Sequence, residues 1–192
     1  VNSFWIGLSF KDRIMSNKLD PEVIGEGKHL RLVRRDGWEY VERTSPIRAV
    51  FIAAITDEGE LILIVEQRVP VNAGVVGFPA GLVGDIDGEE GESYEEATRR
   101  ELVEEAGYHP ESVQFLTKGP TSAGITDEVI AIMLATGLRQ VGAGGGIGRE
   151  SIAVHKVPLV EADAWLKARV AEGTLVDPKV YTGLYFIERL EK

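Results

Sequence analysis

Glu101, Glu104 and Glu105 place three carboxylates close together in residues 92–108, ESYEEATRRELVEEAGY, a stretch that reads as one helix ending at Gly107. At ~100° per residue they fall within roughly 100° of one another around the axis. Leu102, Val103 and Ala106 fall on the other side, where a core would sit. Like charges on one helical stripe repel, at a cost of a few tenths of a kcal/mol, roughly, per i,i+4 pair. Something positive is wanted opposite them, and a divalent ion held by oxygen ligands meets that need. On a generic helix such glutamates would simply be solvated. What surrounds the stretch decides between the two.

The elements that position this helix belong to a chain of 192 residues, enough for one domain with a real core, or for one domain and a small appendage. Hydrophobic residues make up 44%, as in a globular protein. Cysteine is absent, which excludes disulfides, thiolate catalysis and Cys-based zinc sites and fits a reducing, cytoplasmic setting. The net charge of −10 argues against nucleic acid and anionic membranes as partners. It leaves room for an anionic substrate when a metal carries the local positive charge. No apolar run approaches the ~18 residues of a membrane span. The first residues, VNSFWIGLSF, lack the features of a signal peptide. Residues 1–14 read as an extension upstream of Met15, or as a segment that docks Trp5 on a partner chain.

Residues 28–35 and 38–43 alternate around Asp36-Gly37, a hairpin signal. The apolar run 48–56 predicts a strand buried on both faces. Further strands are expected at 60–67, 75–79, 111–118, 128–136 and 151–157. Residues 142–148, GAGGGIG, predict a flexible loop. Helices are expected at 160–171, carrying Trp165 and Leu166, and at 178–190, opened by Asp177-Pro178. Residues 1–45 predict an N-terminal β-sheet region and residues 46–192 the main domain. His29, His109 and His155 are too scattered to suggest a histidine metal site.

Gly81, Glu92 and the run R-E-L-V-E-E-A-G-Y at 100–108 resemble the Nudix box, G-x5-E-x7-R-E-U-x-E-E-x-G-U. The spacing agrees at every fixed position from Glu92 onward. Before it, ten residues rather than five separate Gly81 from Glu92, an insertion containing GDIDGEEG. VEQRVPV at 65–71, FPAGLV at 78–83 and TSAGITDEV at 121–129 are similar to the ADP-ribose and nucleoside-diphosphate-sugar pyrophosphatase branch. The branch's tyrosine is missing from the first of these patterns, and Ala123 replaces the proline of the third.

The resemblance implies an α/β (α+β) Nudix fold, an α/β/α sandwich with a mixed sheet. It also implies a homodimer formed through the N-terminal β region. The implied reaction is Mg2+-dependent hydrolysis, with Mn2+ as a substitute. It cuts the pyrophosphate of ADP-ribose or a related nucleotide sugar to a nucleoside monophosphate and a sugar phosphate. GDP-mannose or broad nucleoside-diphosphate-sugar hydrolysis is the close alternative. A module that binds ADP-ribose without cutting it is the alternative from another class.

Glu101, Glu104 and Glu105 would supply metal-facing oxygens, and the Ala80 carbonyl would complete one metal shell. Glu128 is the expected general base, with Asp127 as rival, and a helical glutamate such as Glu105 could also serve. Arg100 and Glu92 would hold the loop and helix together. Gly81 is expected at a tight turn into the loop, beside substrate, and Gly107 at the helix end. Arg68 is the candidate phosphate or ribose contact. Trp38 would stack on a base or pack within the hairpin or a dimer interface.

Overall fold

The computed structural model describes residues 20–45, 48–84, 91–148 and 151–190. Residues 1–14 with Trp5, and most of the inserted loop at 85–90, lie outside the described residues. The chain divides into two compact units. One comprises the described residues of Val1–Pro46 together with Ser122–Asp127, and the other those of Ile47–Thr121 and Glu128–Lys192.

The first unit is an antiparallel sheet of β1 (Glu22–Glu26), β2 (Leu30–Arg35) and β3 (Trp38–Arg43). The hairpin between β2 and β3 turns at Asp36 and Gly37, both at positive φ, as the Asp-Gly pair predicts. The sequence suggests one cut near residue 45, but Ser122–Asp127 packs with this sheet. Val41 N–H donates to the Ile125 carbonyl at 2.8 Å, and Val41 bridges to Thr126. The stretch 119–128, GPTSAGITDE, which the sequence presents as one loop, is thereby divided, with Asp127 in the first unit and Glu128 in the second.

The second unit holds two mixed four-stranded sheets. One runs β7 (Ala80–Val83), β4 (Arg48–Ala54), β9 (Val129–Gln140), β8 (Tyr108–Pro120), with β4 and β9 parallel. The other runs β10 (Ile152–Pro158), β5 (Glu60–Arg68), β6 (Ala73–Gly77), β11 (Leu175–Val176), with β6 and β11 parallel. Helix α1 (Tyr94–Glu101) precedes β8. Helices α2 (Ala162–Ala171) and α3 (Pro178–Ile187) follow β10, with β11 between them.

Strand β4 explains the layering. Val50, Ile52 and Ala54 join Ala97, Leu102, Ala106 and Met133 in the core under α1. Phe51 and Ala53 point the other way, into a core with Phe78, Leu166, Val180 and Ile187 from the side of α2 and α3. Successive strand residues face opposite sides, so a continuous apolar run is what a sheet covered on both faces requires. Phe51 and Phe78 meet edge to face, 5.8 Å between centroids. Asp177 caps α3 by accepting from Lys179 N–H at 2.9 Å, and Pro178 follows it, as the sequence predicts.

One expectation is corrected. Residues 92–108 do not form one uniform α-helix, because α1 ends at Glu101 and residues Leu102–Ala106 continue as a π turn. The glycine-rich segment 142–148 is a loop, as the sequence predicts, and it is anchored, since Gly145 and Gly146 donate to the carbonyls of Glu105 and Glu104 at 2.8 and 3.1 Å. Contacts made by residues about forty positions downstream set the shape of the helix end.

Candidate active site at the glutamate helix

The helix starts where a capping box dictates. Ser93 Oγ accepts from Glu96 N–H at 3.2 Å, and the Glu96 carboxylate accepts from Ser93 N–H at 2.8 Å. Glu95 and Glu96 occupy the first turn and Arg99 and Arg100 the last, each sign at the end where the helix dipole favours it. Ala97, Leu102 and Ala106 seat the inner face. Gly107 ends the turn at φ +78°, a conformation that favours glycine.

Arg100 is the hub. Its guanidinium donates to both carboxylate oxygens of Glu92, at 3.0 and 3.1 Å, and to the Leu82 carbonyl at 2.8 Å. It also donates to Glu101 at 2.7 Å and reaches Glu104 at 3.5 Å. Glu92 accepts in turn from Gly84 N–H at 2.8 Å, and its carbonyl from Arg48, whose guanidinium lies 4.8 Å over the Tyr94 ring. Helix, β7 and the chain on both sides of the inserted loop are thereby tied to one cation. Burial alone would push the Glu92 carboxyl up. Hydrogen bonds from Arg100 and Gly84 outweigh burial and hold it below the ordinary glutamate range.

Glu101 and Glu105 are buried, at 8% and 6% exposure, and Glu104 is half-buried. Glu105 accepts from Ala80 N–H at 2.8 Å, so its carboxylate lies at the start of β7. The reason for Gly81 differs from the expected tight turn. Gly81 lies inside β7, paired with Val50, and does not have a positive φ. A Cβ built there would fall 1.9 Å from the carboxyl carbon of Glu101. Glycine is needed because Glu101 occupies that space.

A Gly81→Ala enzyme is expected to fold normally, because the obstructing group is the mobile end of a side chain. Glu101 must swing away from Arg100, and activity should fall on the order of 10–100-fold, as when a ligand's support is removed. Steady-state rates beside a melting curve check this, and unchanged rates would remove Glu101 from the site.

The remaining predicted residues distribute as follows. Glu128 stands half-buried just before β9, its carbonyl accepting from Thr121 N–H at 3.1 Å. Arg68 ends β5, about half exposed and paired with Glu66. Trp38 belongs to the first unit, 65% exposed on β3 opposite Arg35. His155 packs against Trp165 with the rings tilted by 55° and their centroids 5.2 Å apart. Sequence reasoning missed Arg48 and the segment Gly142–Gly146. The glycine run was the available signal, since such runs permit close backbone approach.

Glu101, Glu104 and Glu105 form an oxygen-only donor set of the kind hard divalent cations take. Among the described residues no three acidic or histidine side chains already converge as a metal cage. Glu101 leans on Arg100 and Glu105 on the Ala80 N–H. The donor chemistry fits a divalent ion, with side-chain rotation to bring the oxygens together.

A profile of the NUDIX domain matches residues 45–168. A methanol dehydrogenase activator of Bacillus methanolicus is 30% identical over 185 residues, 95% of this chain and 89% of that protein. An ADP-ribose pyrophosphatase of Bacillus subtilis is 38% identical over 87 residues, 45% of this chain and 44% of that protein. Another, from Mycobacterium tuberculosis, is 31% identical over 137 residues, 71% of this chain and 62% of that protein. A crystal structure of an ADP compounds hydrolase superposes with a TM-score of 0.66 at 25% identity, covering 90% of this chain and 91% of its own. With a NUDIX domain profile matched over residues 45–168, most of this chain, a mixed-sheet fold shared with a solved hydrolase, and Glu92, Glu101 and Glu104 paired with Arg100, the chain belongs to the Nudix family.

Proposed function

We propose that this Nudix enzyme hydrolyses the pyrophosphate of ADP-ribose or a related nucleoside diphosphate sugar, releasing a nucleoside monophosphate and a sugar phosphate. The observation that carries the proposal is the set of three helical glutamates held beside β7 through Arg100, Gly81 and the Ala80 N–H. The pyrophosphatase relatives and the ADP compounds hydrolase support the substrate class. Magnesium, with manganese as substitute, a homodimer and a cytoplasmic setting belong to the same proposal.

When bound, the metal neutralises the diphosphate and makes water a better nucleophile. Glu101, Glu104 and Glu105, with the Ala80 carbonyl, would hold it. Arg100 keeps the glutamates oriented. Glu128 takes the proton from the attacking water. Arg68 binds a phosphate oxygen, for which its planar fork is suited.

The decisive experiment is turnover of ADP-ribose with Mg2+, scored for AMP and ribose 5-phosphate. Tight binding without AMP release would replace the enzyme with a binding module. A panel including GDP-mannose ranks the alternatives. Glu128→Gln should lower kcat on the order of 100-fold with little change in KM. An unchanged kcat would pass the role to Asp127 or to a helical glutamate.

The alignment over 95% of the chain with a methanol dehydrogenase activator favours a second reading, in which the same hydrolytic site modulates a dehydrogenase. Methanol dehydrogenase rates with and without the wild-type protein, and with its Glu105→Gln variant, test it.

A further inference from the structure

We infer that the glycine segment of residues 141–146 is a positioning clamp for the reaction, its backbone fixing the π turn that carries Glu104 and Glu105. This rests on the reading above that these glutamates face a divalent ion. A helix end leaves carbonyls without intrahelical partners, and π turns are uncommon and recur at functional sites. Gly107 closes the turn in the ordinary way, donating to the Val103 carbonyl at 3.0 Å. The glycine segment adds bonds that an ordinary cap does not. Gly145 N–H donates to the Glu105 carbonyl and Gly146 N–H to the Glu104 carbonyl, at 2.8 and 3.1 Å. Val141 and Gly142 N–H both donate to the Gly107 carbonyl, at 2.8 and 3.1 Å. The two residues reached by Gly145 and Gly146 are two of the three whose carboxylates would face the metal.

The approach is close enough to demand glycine on both sides. A Cβ on Gly144, at φ +67°, would fall 2.5 Å from the Ala106 carbonyl carbon and 2.6 Å from the Glu105 oxygen. A Cβ on Gly107 would fall 2.3 Å from the Gly142 oxygen. These obstructions are backbone atoms, which cannot rotate away as the end of a side chain can. A methyl group at Gly144 therefore pushes the clamp off the turn, and the carbonyls of Glu104 and Glu105 lose their donors. The carboxylates then lose their fixed spacing from Glu101, and a site loosened by about 1 Å binds and reacts poorly.

The test compares the 192-residue wild type with Gly144→Ala and with Ala168→Ser, an exposed control on α2, outside the segment. Mn2+ binding to the substrate-free protein is followed by electron paramagnetic resonance. Gly144→Ala should weaken it by about tenfold or more and lower kcat by about tenfold or more, with KM for ADP-ribose within roughly twofold of wild type. Ala168→Ser should match the wild type. Mn2+ binding by a folded Gly144→Ala protein at wild-type affinity overturns the clamp. A second measurement on the unaltered protein holds even if that variant does not fold. The amides of Gly145 and Gly146 should exchange with solvent as slowly as that of Gly107, and exchange at the rate of an exposed loop overturns the clamp too. A wild type that binds Mn2+ but does not turn over ADP-ribose would count against the proposed substrate, while exchange and Mn2+ affinity would still decide the clamp.

Discussion

Arg100→Ala should unfold well below the wild type, by roughly 6–20 °C, corresponding to about 3–5 kcal/mol for an uncompensated buried charge. The guanidinium has 18% side-chain exposure, against 5% for Glu92 and 11% for Glu101. Water cannot replace it at these carboxylates as it would at a surface pair. The substitution takes the guanidinium away from two buried anions and from the Leu82 carbonyl in one step. Arg100→Lys should recover only part of the loss, because one ammonium cannot serve Glu92, Glu101 and a carbonyl together. The acid limb of stability reports the same network. Glu92 is held below its usual value of 4.5, so its contribution is present above that pH and is lost as the pH falls through the lowered value. Arg100→Ala should flatten this limb, and thermal melts across the acid range measure both effects. A melting temperature equal to the wild type's would show that Arg100 is not the tie between helix, β7 and Glu92.

The helix start-to-end placement of Glu101, Glu104 and Glu105 was legible because a sequence motif acts over a few residues, although the α period assumed for them gives way to a π turn after Glu101. Gly107 and Asp177-Pro178 were legible for the same reason, since caps are local chemistry. The buried strand at β4 could be read from its unbroken apolar run. What the sequence concealed depends on contacts between distant segments. Gly81 reads as a turn glycine until Glu101 is found in the space its Cβ would need. The π turn has no signature of its own in LVEEA, and its partners are amides at 145 and 146. The TSAGITDE segment reads as one loop, yet its hydrogen bonds to Val41 assign part of it to the N-terminal sheet. Local patterns encode elements, whereas these three features are set by pairings that only the folded chain brings about.

Glu105→Gln should abolish most of the turnover, on the order of 100–1,000-fold, equivalent to about 2.7–4 kcal/mol of transition-state stabilisation. The substitution separates charge from shape. Glutamine has the volume of glutamate, and its carbonyl oxygen can still accept from Ala80 N–H, the bond that seats Glu105 at 2.8 Å. The fold and melting temperature should therefore hold. What disappears is one negative oxygen in an almost fully buried position, where a hard cation has few substitutes. If Glu105 is a metal ligand, the Mg2+ concentration for half-maximal rate should rise together with the fall in kcat, and saturating metal should recover part of the rate. If it is the base, kcat should fall with the metal requirement unchanged, and Glu128→Gln should then be nearly silent. Steady-state rates over a Mg2+ titration for the two single variants and their double variant separate these cases, because groups acting in one step give non-additive losses. Near-wild-type rates for Glu105→Gln at low Mg2+ would refute both roles and leave the chemistry to Glu101 and Glu104.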